Sequence, residues 1–277
     1  MTLPAGAGPA RRVGGGDINE AFHVVLADGR DAFVKTRPEV PPGEYRAEAA
    51  GLAWLAEPGA LRTPRVLEVH ERYLVLEWVQ PGRLDAAGME ELGRGLALTH
   101  VAGAPRFGRA DERLSSRFGS LRLSNEPTPD WPSFYAERRL APLARIGAQR
   151  GVLSPSAVQA VERVCARLGE LAGPAEAPAR LHGDLWSGNI MADAQGRPWL
   201  IDPAVYGGHR EVDLAMLRLF GAPSERVFAA YQEHTPLADG WRERVELYQL
   251  LPLLVHALLF GGSYVAAAER IAVRYAG

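Results

Sequence analysis

The sequence predicts an α+β fold of two lobes, in which a small antiparallel sheet carrying one main helix precedes a mostly helical part. Three observations carry this expectation. The first 80 residues hold short runs of alternating apolar and polar residues separated by turn signals. From Ala86 onward, apolar residues recur three and four apart over long stretches, as on one face of a helix. One turn-rich segment, Arg180 to Val205, interrupts those helices and contains Asp184, Asn189 and Asp202. With 277 residues the chain can bury a large core, so one or two closely packed lobes are expected.

Composition narrows the function classes. Hydrophobic residues make up 47% and charged residues 23%, and the formal net charge is -2, which gives no electrostatic reason to expect nucleic acid or an anionic membrane as partner. A single cysteine, Cys165, excludes an internal disulfide and fits a reducing compartment. Its helical setting among Val161, Val164 and Leu168 makes it an apolar filler. Met1 to Ala10 shows no signal sequence, and the apolar run Leu250 to Phe260 is too short to span a bilayer, so a cytoplasmic protein is expected.

Along the chain, Phe22 to Ala27 and Asp31 to Lys35 read as strands joined by Asp28-Gly29, a hairpin signal. Gly14, Gly15 and Gly16 stand just before this hairpin, where backbone without side chains can approach a ligand as a loop over phosphates does, although no G-x-G-x-x-G is present. Alternation puts Phe33 and Lys35 on one face of the second strand. The helix Glu44 to Glu57 then shows Tyr45, Glu48, Ala49, Leu52 and Leu55 on one stripe. A carboxylate on that inward stripe needs a partner. Lys35 is the natural one for Glu48, and the pair would hold the lysine over nucleotide phosphates; Glu44 is the alternative. Val66 to Val69 and Tyr73 to Val79 complete the sheet, ended by Pro81-Gly82.

The helical part begins at Ala86 to Ala102, with His100 at its end, where an imidazole can pair with free carbonyls. Phe107 to Pro132 is polar and broken by Gly and Pro, and is expected to be a binding loop rather than a core element. Helices follow from Trp131 to Ile146 and from the Ser154-Pro155 cap to Gly173-Pro174. After the turn-rich segment come Val212 to Phe220, with Asp213 tying the neighbouring backbone, then Arg226 to His234. Arg242 to Phe260 should kink at Pro252, and its His256 reads as a hydrogen-bonded core histidine.

The chemistry sits in the interruption. Asn-Ile-Met and Leu200-Ile201 are strand-like, and the turn between them should return Asp202 to the side of Asn189. An Asp, an Asn five residues later and a second Asp 13 residues beyond form a minimal set for metal-dependent phosphoryl transfer. Asp184 would accept a hydroxyl proton, while Asn189 and Asp202 hold Mg2+ at the phosphates. Aspartates and asparagines in loops are commonly turn-formers, but the joint spacing behind His182-Gly183 argues for chemistry. No H-R-D, D-F-G or A-P-E string occurs, which argues against a protein kinase.

HGDLWSGN (His182 to Asn189), read with IDPAVYGGHREVDLAM (Ile201 to Met216) and LFGGSY (Leu259 to Tyr264), resembles the fructosamine kinase (ketosamine kinase) family, which is related to the aminoglycoside phosphotransferases and shares the protein-kinase-like fold. The resemblance runs from Gly14 to the last helix. It implies a nucleotide-binding lobe over residues 1–80 and a catalytic and substrate lobe over 81–277, with a hinge near 76–80 where Glu77, Trp78 and Val79 meet adenine. It also implies the same roles for Lys35 and Glu48, and an acceptor site near the 107–132 segment. ATP and Mg2+ are the implied cofactors, and a small ketosamine or glycated amine is the implied substrate, phosphorylated on a sugar hydroxyl. The family has a second Tyr at the position of Gly207, so a more open pocket is expected on that side. No nucleic-acid or membrane partner is expected; the sequence leaves the oligomeric state open, with a monomer favoured. Other aminoglycoside-type or small-molecule phosphotransferases, or an inactive nucleotide-binding scaffold, are the alternatives; Lys35, Asp184 and Asp202 are all present, which disfavours the last.

Overall fold

The computed structural model describes the chain apart from residues 1–3, 5–6, 15–18, 110–116, 119–120 and 222–223. Strands β1 (Arg11–Val13), β2 (Glu20–Val25), β3 (Asp31–Thr36), β4 (Val66–Val69) and β5 (Tyr73–Glu77) form one antiparallel sheet in the order β1-β2-β3-β5-β4. Beyond the hairpin read from the sequence, the structure adds β1, which pairs Arg12 with Phe22. Gly14 therefore sits in the connection between two paired strands, and Gly15 and Gly16 lie outside the described residues. The alternation in β3 sorts its faces. Val34 is buried with Phe22, Val24 and Val75 on one side, while Phe33 and Lys35 lie on the other, toward helix α1 (Glu44–Ala56). Tyr45 and Leu52 of α1 seal that side against Leu74 and Leu76.

The remainder is helical: α2 (Ala86–Val101), α3 (Trp131–Tyr135), α4 (Ala141–Gln149), α5 (Pro155–Leu171), α6 (Glu211–Leu219), α7 (Glu225–His234), α8 (Trp241–Phe260) and α9 (Ser263–Ala276). The ends follow capping chemistry, since Asp85 accepts from Gly88 N at 2.8 Å and Ser154 from Ala157 N at 3.2 Å. One core is built from α3, α4, α5, α6, α8 and α9, and a second joins α2 to α7 through Leu92, Leu96, Phe228 and Tyr231. A π-helical segment, Ala136–Leu140, runs between α3 and α4. Within it Arg139 is fully buried, its guanidinium lying over the rings of Phe134 and Tyr206 and donating to Asn125 at 2.6 Å. Pro252 lacks the N–H that would bond Tyr248 O, and the Tyr135 hydroxyl donates to that carbonyl at 3.3 Å instead.

Two expectations change. The 107–132 segment is not only surface. It contains the short strands β6 (Arg117–Phe118) and β7 (Leu121–Arg122), and Leu121 and Leu123 are buried in the main core, because two leucines among polar residues suffice to anchor a loop. Gly207 does not open the pocket. It lies buried in β11 (Tyr206–Gly208), paired with β8 (Ala179–Leu181), and a Cβ there would stand 2.1 Å from Arg106 O. Close approach of the 104–108 backbone leaves no room for a side chain.

Candidate active site

The turn after β8 is held from three sides. Gly183 has φ +82, and a Cβ on it would come within 2.1 Å of Ala204 O, so glycine meets both the backbone and the space requirement. The Asp213 carboxylate, from the first turn of α6, accepts His182 N at 2.7 Å and Gly183 N at 2.9 Å. His182 Nε2 lies 2.9 Å from Ile201 O; a carbonyl only accepts, so Nε2 carries the proton and Nδ1 takes the Asp184 N–H at 3.2 Å. Burial lowers the His182 pKa and keeps this ring neutral. His182 thus joins the Asp184 turn to the strand that leads into Asp202.

A second hairpin sets the spacing of the other groups. Strands β9 (Ile190–Ala192) and β10 (Pro198–Leu200) pair Ile190 with Leu200, and Ile201 N donates to Asn189 O at 3.1 Å, which closes the loop beside Asp202. The turn between them is built on Asp193, whose carboxylate accepts from Gln195 N and Arg197 N at 3.0 Å and from Trp199 Nε1 at 3.0 Å. Asn189 Nδ2 donates to Asp184 O at 2.8 Å and to Asp184 Oδ2 at 3.1 Å. The amide oxygen of Asn189 and Oδ2 of Asp202 then take no protein hydrogen bond among the described residues. Asp202 is the single non-glycine residue with positive φ there, at 54°. A non-glycine residue in that conformation costs roughly 1–2 kcal/mol and is a mark of functional turns. Two neighbouring oxygens of this kind suit a hard cation that completes its shell with phosphate or water, and no cluster of three or more His, Cys, Asp or Glu that would cage a metal occurs among the described residues.

Lys35 ties the sheet to this turn. Its Nζ lies 3.0 Å from both Glu48 oxygens and 2.8 Å from Asp202 Oδ1. Glu44 is taken by Arg37 instead. With Lys35 and Glu48 side chains only 9% and 11% exposed, the ion pair is buried. Burial alone would depress the lysine, but Glu48 and Asp202 outweigh it and hold the ammonium above its ordinary pKa. Asp184 moves the other way for a carboxyl: burial pushes it up to about 7, the Asn189 hydrogen bond opposes this, and the charges of Asp202 and Asp213 add to it.

These groups border one cleft of about 1590 Å³. Gly14, Lys35, Glu48, Glu77, Trp78, Val79, Asp184, Asn189 and Asp202 all line it. Val79 is buried, Trp78 packs edge-on against His23 with centroids 4.3 Å apart, and the Glu77 carboxylate accepts Arg65 N at 2.7 Å. Outside the cleft lining, Arg180 of β8 reaches the end of α1, with its guanidinium over Trp54 and bonded to Glu57 at 2.8 Å. His100 differs from expectation. It meets Tyr231 OH at 2.8 Å, because α7 packs along α2, and Asp213 Oδ2 of α6 at 3.3 Å, rather than free carbonyls. The sequence reading missed an aromatic wall of the cleft: Trp186, Phe220, His256, Phe260 and Tyr264. The spacing of 256, 260 and 264, four apart, was its signal, obscured by the Gly261-Gly262 break.

A family model described as fructosamine kinase matches residues 5–275. A probable ketoamine kinase of Enterococcus faecium is 35% identical over 263 residues, covering 93% of this chain and 91% of its own. A solved structure from Thermobifida fusca, provisionally named a fructosamine-3-kinase, is 43% identical, with TM-score 0.89 over 98% of this chain and 93% of that one. An aminoglycoside phosphotransferase structure, 17% identical, superposes with TM-score 0.63 over 98% of this chain and 94% of its own, which shows the shared protein-kinase-like fold.

Proposed function

The chain belongs to the fructosamine kinase family and is an ATP-dependent small-molecule kinase, and from that premise we propose that it phosphorylates a sugar hydroxyl of ketosamines, the adducts of sugars with amines. The observation that carries the reading is the convergence of Asp184, Asn189, Asp202 and the Lys35–Glu48 pair on one cleft. Residues 1–80 form the nucleotide lobe in this reading, with Glu77, Trp78 and Val79 at the adenine and Gly14 at the phosphates. Residues 81–277 carry the acceptor and the chemistry.

Asp184 orients the acceptor hydroxyl and takes its proton. The new bond joins that oxygen to the γ-phosphorus, the bond to the ADP oxygen breaks, and the proton ends on the Asp184 carboxylate. A carboxylate is a weak base toward an alcohol, so proton acceptance comes late, when the bond to phosphorus is largely made. Asn189 fixes Asp184 through its amide N–H groups and turns its oxygen to the metal position. Mg2+, held by Asn189 and Asp202, would neutralise charge on the phosphates. Lys35, kept charged by its two carboxylates, exchanges its Asp202 contact for phosphate oxygens while Glu48 keeps it in place. The protein is expected to work in the cytoplasm; among the described residues no helix is long and apolar enough to cross a membrane.

The test is a phosphoryl-transfer screen with ATP and magnesium against fructosamines, ribulosamines, simple sugars and aminoglycosides. Turnover highest on ketosamines is the expected result. Turnover only on aminoglycosides or free sugars would overturn the reading.

A further inference from the structure

The helical end of the cleft has a character that phosphoryl transfer does not require. From residue 184 onward, the only charged side chains lining it, among the described residues, are Asp184 and Asp202. Part of that lining is aromatic: Trp186, Phe220, His256, Phe260 and Tyr264. Their rings touch in sequence: Trp186 to Phe220 at 6.1 Å, Phe220 to His256 at 4.9 Å, His256 to Tyr264 at 5.1 Å and His256 to Phe260 at 5.5 Å between centroids. The group is therefore one continuous shelf.

Two features separate it from ordinary core. Phe260 is 56% and Trp186 38% exposed, although large apolar side chains ordinarily gain by burial. The shelf is also fixed to the catalytic turn, since Ser187 Oγ donates to Phe220 O at 3.2 Å, and Ser187 lies three residues from Asp184. His256 adds no charge. Its Nδ1 donates to Pro252 O at 2.7 Å, and burial lowers its pKa, so the ring is neutral at ordinary pH.

We propose that this aromatic shelf receives the amine-borne portion of the ketosamine and selects for an apolar, uncharged substituent there. The inference rests on the ketosamine reading above. A ketosamine whose sugar hydroxyl is at Asp184 extends in both directions from the reacting carbon, and the shelf adjoins Asp184, which shares with Val255 and His256 both the cleft and a small cavity beside it. Tilted and edge-on rings suit an aryl or alkyl group on the nitrogen, and the nitrogen itself, as a secondary ammonium, is accommodated over ring faces. Among the described residues, a polycationic acceptor would find no carboxylate on the shelf to pair with, and an anionic substituent would find no cation.

The experiment compares kcat/KM for two fructosamines, those of benzylamine and of glycine, in the wild type, Phe260→Ala and Phe260→Leu, with urea denaturation of each variant as a check of folding. Phe260 is exposed, so its truncation leaves the core in place. The wild type should favour the benzylamine adduct by roughly tenfold or more, and Phe260→Ala should bring the ratio close to one, with Phe260→Leu between them. Equal wild-type activity on both adducts, or an equal loss on both in Phe260→Ala, would overturn the shelf while leaving the ketosamine reading intact. Failure of the wild type to phosphorylate either adduct, with turnover on another acceptor class, would overturn that reading and this inference together.

Discussion

Replacing Asp184 with Asn should lower activity and raise stability at the same time, and the second effect should depend on pH. The carboxyl is pushed up to about 7 in the folded protein against 3.8 ordinarily. Between those values the folded state binds a proton that the unfolded state has released. Stability therefore falls as pH rises through this window, and the loss is complete above about pH 7. At 1.36 kcal/mol per decade, the difference between 3.8 and 7 corresponds to roughly 4 kcal/mol. Asp184 is only half-buried by its accessible surface, so solvent screening reduces this to about 2 kcal/mol. Asn keeps the size of the side chain and can still accept from Asn189 Nδ2, but carries no charge to desolvate. Urea denaturation of wild type and D184N at pH 4.5 and pH 8 should show the variant gaining about 1–2 kcal/mol on the wild type across that interval. Turnover of a fructosamine should fall roughly 10²-fold or more, with ATP affinity little changed. A stability difference that does not move with pH would refute the desolvation argument. Near-normal turnover would remove Asp184 as proton acceptor, and a comparable loss of ATP binding would move it to the metal site.

Asp202→Ala should weaken the magnesium dependence of ATP binding, measured by titrating the metal at fixed nucleotide; unchanged dependence would take Asp202 out of that role. Lys35→Ala and Glu48→Ala should be strongly non-additive in a double-mutant cycle on turnover, since each leaves the other's buried charge without its partner, and additive effects would mean the two act separately. Gly207→Ala should destabilise the protein by about 1–3 kcal/mol in urea denaturation, because its Cβ meets backbone at Arg106 O. Wild-type stability in that variant would show that the 104–108 segment yields freely.

The readings that came from the sequence alone concern what a short stretch of chain must do. The positions of α1, α2 and α5, the Ser154 cap, the Asp28-Gly29 turn and the approach of Asp202 to Asn189 across the β9–β10 hairpin are local. Periodicity, capping atoms and turn residues within a few positions set them. The inward stripe of α1 showed that Glu48 needs a cation, but Glu44 stayed open until Arg37, anchored beside it after β3, took that carboxylate. Other features depend on which surfaces meet. Lys35 reaches Asp202, 167 residues away, only because the sheet packs over the catalytic turn. β1 has too little alternation to be read until β2 offers it an edge. Leu121 and Leu123 are polar-loop residues by their neighbours and core residues by their contacts. His100, at the end of a helix in sequence, meets Tyr231 because α7 packs along α2 and meets Asp213 at the first turn of α6, and the aromatic shelf exists because α8 and α9 bring Phe260 and Tyr264 to Phe220. A sequence pattern specifies which face of an element is apolar and which group lacks a partner; the partner itself is chosen by packing, through contacts whose separation along the chain leaves no local mark.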